Sequence, residues 1–293
     1  MAAAVSLLSQ FPKLHVVTPG RATYAGPAFA IHHATNMPTI SVDGVPVHYT
    51  EFGSGDRAIV FLHGGFGSSS ELWERTLQAL PPGWRGYAID NFLRSAAPPD
   101  GYSVQALARR VLGFVDAMGL DKPVIGGHSM GGVVSQLAAS NDPERYGGVV
   151  LVCTGAVMTN HTLGRVLLQD LRDNGHANLR EISAHWFRTV PPDFFEGYVA
   201  RAETAPLDAM IDVQQSLLDT DCRPLLPKIT APTLVVFGAH DAGRTIDHAN
   251  TLLAGIPNSR LAHMPDSGHT PMVETPAAFD AALHAFLLET ETT

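Results

Sequence analysis

The segment Pro123-Val124-Ile125-Gly126-Gly127-His128-Ser129-Met130-Gly131-Gly132 constrains this chain more than any other. Its first five residues are small or apolar without alternation, which suits a strand buried on both faces. Met130 to Ser140 reads as a helix. The backbone must therefore turn from strand to helix within one or two residues. A turn that sharp crowds the positions two before and two after Ser129, and only glycine leaves room there. The serine itself is held in a strained conformation that thrusts its hydroxyl above the sheet. The following helix aims its first amides and its dipole at the same point. Gly-x-Ser-x-Gly between a strand and a helix is the setting of a serine nucleophile, which makes Ser129 the first candidate catalytic residue.

The flanking chain repeats the same texture. Ile40 to Tyr49 predicts a hairpin about Asp43-Gly44. Ala58 to Leu62, Trp84 to Ile89, Pro123 to Gly127, Gly148 to Val152, Pro232 to Phe237 and Ser259 to His263 are short apolar strands. Helical spacing runs from Ser103 to Met118, with Ser103 as N-cap and Gly119 past the end, and again over Thr275 to Leu288. Strands alternating with helices predict an α/β fold: a mostly parallel, doubly wound sheet. Between residues 154 and 231 the alternation stops. Helices without a convincing strand, with Trp186, Phe187, Phe194, Phe195 and Tyr198 among them, predict a helical lid insertion. The expected organisation is an N-terminal arm over 1–38, a core over 39–153 and 232–293, and a lid over 154–231. The arm's Leu7, Leu8 and Phe11 are expected to dock onto some other surface.

From about Thr39 onward the chain resembles the α/β-hydrolase superfamily, in its serine esterase and lactonase-like branch. That resemblance implies an acid after the strand that follows the lid and a base after the last strand. Asp241 stands at the first place, in Phe237-Gly238-Ala239-His240-Asp241, and His269 at the second, in Pro265-Asp266-Ser267-Gly268-His269. The order Ser, Asp, His is the order of that fold. A serine hydroxyl needs such a base, and the base needs a carboxylate to fix its tautomer. His240, His263 and His128 are weaker bases by position, and Asp247 and Asp266 are rival acids. The family's geometry makes the Met130 amide one oxyanion donor. The second comes from His63-Gly64-Gly65-Phe66-Gly67, with Gly65 favoured and Phe66 the near alternative, while His63 braces the loop. The family's Gly-rich run after the fourth strand is replaced by Asp90-Asn91-Phe92-Leu93-Arg94-Ser95, so that loop takes another path and Phe92 or Leu93 is expected near the pocket.

The resemblance implies cleavage of a small, apolar ester or lactone through an acyl-enzyme on Ser129. Other readings share the scaffold: a carbon–carbon bond hydrolase, a small-molecule receptor, or a cofactor-free oxygenase. Thr270 after His269 disfavours the first of these. The triad needs no cofactor, and no run suggests zinc or a dinucleotide. With a net charge of −9 and no basic cluster, a nucleic-acid partner is not expected. Two cysteines imply no disulfide framework. No apolar run approaches the ~20 residues of a membrane span, and a cytoplasmic location is expected.

Overall fold

The structure is a computed structural model that describes residues 37–65, 70–158 and 161–291. The expected arm over 1–38 lies outside the described residues except for Met37 and Pro38. Eight strands form one sheet: β1 (Thr39–Val42), β2 (Val45–Gly53), β3 (Arg57–Leu62), β4 (Trp84–Ile89), β5 (Val124–His128), β6 (Gly148–Val152), β7 (Thr233–Gly238) and β8 (Ser259–Met264). Their spatial order is β1-β2-β4-β3-β5-β6-β7-β8. β3 to β8 run parallel, while β1 and β2 add an antiparallel hairpin at one edge. Asp43 and Gly44 both take positive φ, 52° and 77°, which is what a two-residue turn matching the strand twist requires.

The helices are α1 (Glu74–Gln78), α2 (Val104–Ala117), α3 (Met130–Asn141), α4 (Thr162–Asn174), α5 (Leu179–Ala184), α6 (Pro192–Ala202), α7 (Leu207–Leu218), α8 (Ile246–Gly255), α9 (Pro271–Glu274) and α10 (Pro276–Thr290). Successive strand residues point to opposite faces, and both faces are apolar. Val60, Leu62, Ile125, Val149, Leu151 and Val235 pack with α2, α3 and α8. Ile59, Phe61, Val124, Val150, Val152 and Val236 pack with α1 and α10. Ser103 caps α2 by accepting from the Ala106 amide at 3.0 Å.

Helices α4 to α7 fall between β6 and β7. In that stretch the described residues add no strand to the sheet, only an isolated bridge, Val157 to Asp221. Arg201 of α6 lies 3.6 Å from Glu71, which ties the insertion to the core. Among the described residues no helix is long and apolar enough to cross a membrane.

The turn from β5 into α3 is as tight as its glycines suggest. Ser129 adopts φ 53° and ψ −112°, a region L-residues avoid. A Cβ on Gly127 would sit 2.1 Å from the carbonyl carbon and oxygen of Gly131, and one on Gly131 would sit 2.5 Å from the Leu62 carbonyl oxygen. The Ser129 amide donates to Val152 at 2.9 Å and its carbonyl accepts from Thr154 Oγ1 at 2.7 Å, so neighbouring β6 holds the strained residue on both sides.

Gly127→Ala must displace backbone, so it is expected to lower unfolding free energy by about 3 kcal/mol or to prevent folding. A Cβ on Gly65 meets nothing within 4 Å among the described residues, so Gly65→Ala is expected to shift stability by less than about 0.5 kcal/mol. Urea denaturation of both variants checks the contrast, and equal midpoints would refute the packing account of the turn.

Candidate active site

The three candidate catalytic residues converge at the carboxyl ends of three parallel strands. Ser129 follows β5, Asp241 follows β7, and His269 follows β8. Ser129 and His269 line one cavity of about 600 Å³, its open mouth included. His269 Nδ1 lies 2.8 Å from Asp241 Oδ2. A carboxylate accepts only, so Nδ1 carries a proton, which in a neutral imidazole leaves the lone pair on Nε2. The Asp241 side chain is fully buried. Its Oδ1 accepts from the amides of Gly243 at 2.7 Å and Arg244 at 2.9 Å. Burial without those partners would be costly, and with them the carboxylate is held in one orientation.

The histidine is fixed from every side. Its amide donates to the Trp186 carbonyl at 2.8 Å, and its carbonyl accepts from His128 Nε2 at 2.8 Å. The Trp186 ring lies 5.2 Å from the imidazole, centroid to centroid. Gly268, Thr270 and Arg188 all donate to the Glu274 carboxylate, at 2.8 to 3.1 Å. Glu274 thus binds the His269 loop to the insertion. Sequence reasoning missed Glu274, because a glutamate near a helix start has many ordinary uses.

His128 is buried, and burial together with the neighbouring His269 pushes its pKa well down. It is a neutral bridge beneath the site rather than a base. His63 has the bracing position expected of it. Its Nε2 accepts from the Asn91 amide at 2.8 Å, so its Nδ1 donates to the Gly64 carbonyl at 2.7 Å. Burial lowers its pKa too. His240 is exposed, and His263 stacks on Phe237 away from the cavity. Asp247 is exposed and Asp266 pairs with Arg188 at 2.6 Å, so neither rival acid reaches His269.

Gly65 and Met130 both line the cavity, and neither amide is committed to an acceptor among the described residues. Phe66 lies outside the described residues. The expectation for Phe92 and Leu93 is corrected, because neither lines the cavity. The Asp90 carboxylate accepts from the Leu93 and Arg94 amides, which curls the loop inward and buries Phe92 against His63 at 5.1 Å. The aromatics of the insertion divide. Trp186 and Tyr198 line the cavity, whereas Phe195 packs on Phe187 in the core.

The cavity also holds polar residues that sequence reasoning passed over: His161, Gln214 and Arg244. Behind the site, Cys153, Asp241 and His269 offer three ligand atoms within 4.8 Å of one another. Burial pushes the Cys153 thiol well up, and Asp241 is already engaged with an imidazole and two amides. That arrangement suits proton handling better than cation binding, which asks for a thiolate.

The model of the alpha/beta hydrolase family matches residues 59–282. The chain is 25% identical over 256 residues to 3-oxoadipate enol-lactonase 2 of Acinetobacter baylyi, covering 85% of this chain and 96% of the relative. It is 30% identical over 261 residues to 2-hydroxy-6-oxononadienedioate/2-hydroxy-6-oxononatrienedioate hydrolase 1 of Dechloromonas aromatica, covering 82% and 90%. The crystal structure of a hydrolase from Pseudomonas aeruginosa superposes with a TM-score of 0.77 at 26% identity, covering 87% of this chain and 99% of that one.

His161 generates a pH prediction. Burial, then the charge of Arg244, lowers its pKa to about 4 from the ordinary 6.5. Below pH 6.5 the unfolded chain binds a proton there that the folded chain refuses, so stability falls as pH falls toward 4. The His161 share of that loss is about 3 kcal/mol. Its Nδ1 also accepts from the Gly164 amide at 2.9 Å as the cap of α4. Asn can make that bond, so His161→Asn is expected to unfold in urea with a shallower pH dependence between 7 and 4.5. Parallel curves for the two proteins would refute the assignment.

Proposed function

The chain belongs to the alpha/beta hydrolase family, and from that membership and the cavity's geometry we propose that it is a serine hydrolase of carboxylic esters or lactones. The observation that carries the reading is the Asp241–His269 pair at 2.8 Å, whose His269 lines the same cavity as a strained Ser129. In this reading His269 Nε2 takes the Ser129 proton as Oγ attacks the carbonyl carbon. The negative charge moves to the carbonyl oxygen and is held by the amides of Met130 and Gly65, aided by the N-terminus of α3. Collapse breaks the bond to the leaving alkoxide, which receives the proton from His269. Water then attacks the acyl-enzyme with His269 again as base, releasing the acid and free Ser129.

The buried Asp241 stabilises the imidazolium that forms twice per cycle and keeps Nε2 facing the serine. Helices α4 to α7 act as a lid whose Trp186, Tyr198, Met158 and Leu167 shape the substrate pocket and exclude water. The enol-lactonase named among the relatives supports a lactone or small ester as the substrate. The hydrolase of an oxo-dienedioate among them supports, as a second reading, attack on a ketone with cleavage of a carbon–carbon bond by the same residues.

Wild type is expected to turn over p-nitrophenyl esters, acetate through decanoate, many times per site. Ser129→Ala is expected to lower kcat by about 10⁵ or more, and Ser129→Ala/His269→Ala to be no worse than either single change. Asp241→Asn presents an amide to Nδ1, favours the wrong tautomer and is expected to lower kcat by about 10⁴. Ester turnover that survives in Ser129→Ala, or a wild type that stops near one turnover, would overturn the proposal.

A further inference from the structure

Arg244 is the one cation among the described residues that line the cavity. It is 6% exposed, and no carboxylate of a described residue lies within ion-pair distance of its guanidinium. Its main-chain amide holds Asp241, but its side chain turns elsewhere. Nη1 donates to the Gly243 carbonyl at 2.6 Å and lies 2.9 Å from His161 Nε2. The same carbonyl accepts from His161 Nε2 at 2.9 Å, because His161 Nδ1 is occupied by the Gly164 amide. Nε is buried with no partner, and Nη2 has no acceptor among the described residues.

Arg110 shows what a purely structural buried arginine looks like in this fold. Its exposure is 4%, and its Nη1 and Nη2 donate to the carbonyls of Asn91 and Ala96. Arg244 lacks that saturation, although a buried guanidinium without acceptors is strongly disfavoured. The acceptor that it lacks has to enter through the cavity.

We propose that Arg244 binds a carboxylate on the substrate, remote from the bond that Ser129 attacks, so that the preferred substrates are anionic esters or lactones. The proposal rests on the serine-hydrolase reading for its reaction but not for its binding site. A carboxylate fits better than a phosphate dianion. One guanidinium balances one charge, and the buried Asp241 carboxylate nearby opposes a second. Burial keeps His161 neutral above about pH 4, so it adds no further positive charge. Gln214, whose Nε2 donates to the Gly164 carbonyl at 3.2 Å, also lines the cavity, and Leu167, Trp186 and Leu217 give a carbon chain apolar wall to lie against.

The test compares monomethyl esters of C4 to C8 dicarboxylic acids with methyl esters of the monocarboxylic acids of equal length, followed by methanol release. The readout is the ratio of kcat/KM, acidic over neutral, because any change at Arg244 is liable to disturb Asp241 and slow both substrates. Wild type is expected to favour the best acidic ester at least tenfold. Arg244→Gln is expected to cut that ratio at least tenfold, and Arg244→Lys to keep part of it. A wild type without acidic preference, or an unchanged ratio in Arg244→Gln, would overturn the proposal. A second arm titrates the free dicarboxylic acids into Ser129→Ala by calorimetry. Binding there that is lost in Ser129→Ala/Arg244→Gln supports the anion site even if no ester is hydrolysed, an outcome that counts against the reaction alone. No dicarboxylate binding to Ser129→Ala overturns the site whatever the turnover.

Discussion

A serine at φ 53° and ψ −112° is held against a steric penalty of roughly 1–3 kcal/mol. That strain persists because the surrounding backbone leaves no alternative. Gly127 and Gly131 approach until no side chain fits between them, the Ser129 amide completes a bond to β6, and Thr154 takes its carbonyl. Everything the site does depends on this corner. It lifts the Ser129 side chain into the cavity, starts α3 immediately afterwards, and leaves the Met130 amide without an acceptor among the described residues. A relaxed serine in a wider loop would forfeit all three at once.

The second constraint is that residues from distant parts of the chain must meet within a few tenths of an ångström. Parallel strands solve this, since their carboxyl ends all open on one edge, and β5, β7 and β8 deliver Ser129, Asp241 and His269 there. Strand ends alone would leave the loops free to move. Glu274 removes that freedom by gathering the amides of Arg188, Gly268 and Thr270, while His128 fastens the His269 carbonyl from below. The insertion is thus hydrogen-bonded directly to the loop that carries the imidazole.

The sheet and the three polar residues at its edge were legible because each leaves a local mark. Buried strands are short apolar runs, the sharp corner demands glycines at fixed offsets, and Asp241 and His269 stand just past strands in the order of the resembled family. Residues whose role arises only from tertiary contact left no mark. Arg244 follows Asp241 by three positions and reads as a loop arginine until folding buries it. Glu274 reads as an ordinary helix-start acid. Phe92 was placed wrongly because a missing glycine run shows that a loop changes course but not which way it turns. The Asp90 carboxylate decides that, by capping amides inside its own turn. Trp186 and Phe195 are alike in composition and sit nine residues apart, yet one faces the cavity and the other the core.

The charges of the site also have to be accounted for together. Asp241 is negative and Arg244 positive, both are buried, and they approach through the Arg244 main chain rather than as an ion pair. The histidines beneath and beside them, His63, His128 and His161, are driven toward neutrality by burial. The charges of Asp241 and Arg244 therefore offset one another. In the proposed reaction, His269 takes a proton as the oxyanion develops, and the two charges oppose each other in a medium where such pairs attract more strongly than in water. An anion bound at Arg244 neutralises the remaining positive group without altering that exchange. Under these two proposals the cavity holds a charged substrate and still develops a fresh charge pair at the reacting bond, provided that the carboxylate stays with Arg244. Leu167 and Leu217 line the same cavity and offer a charged group no partner there.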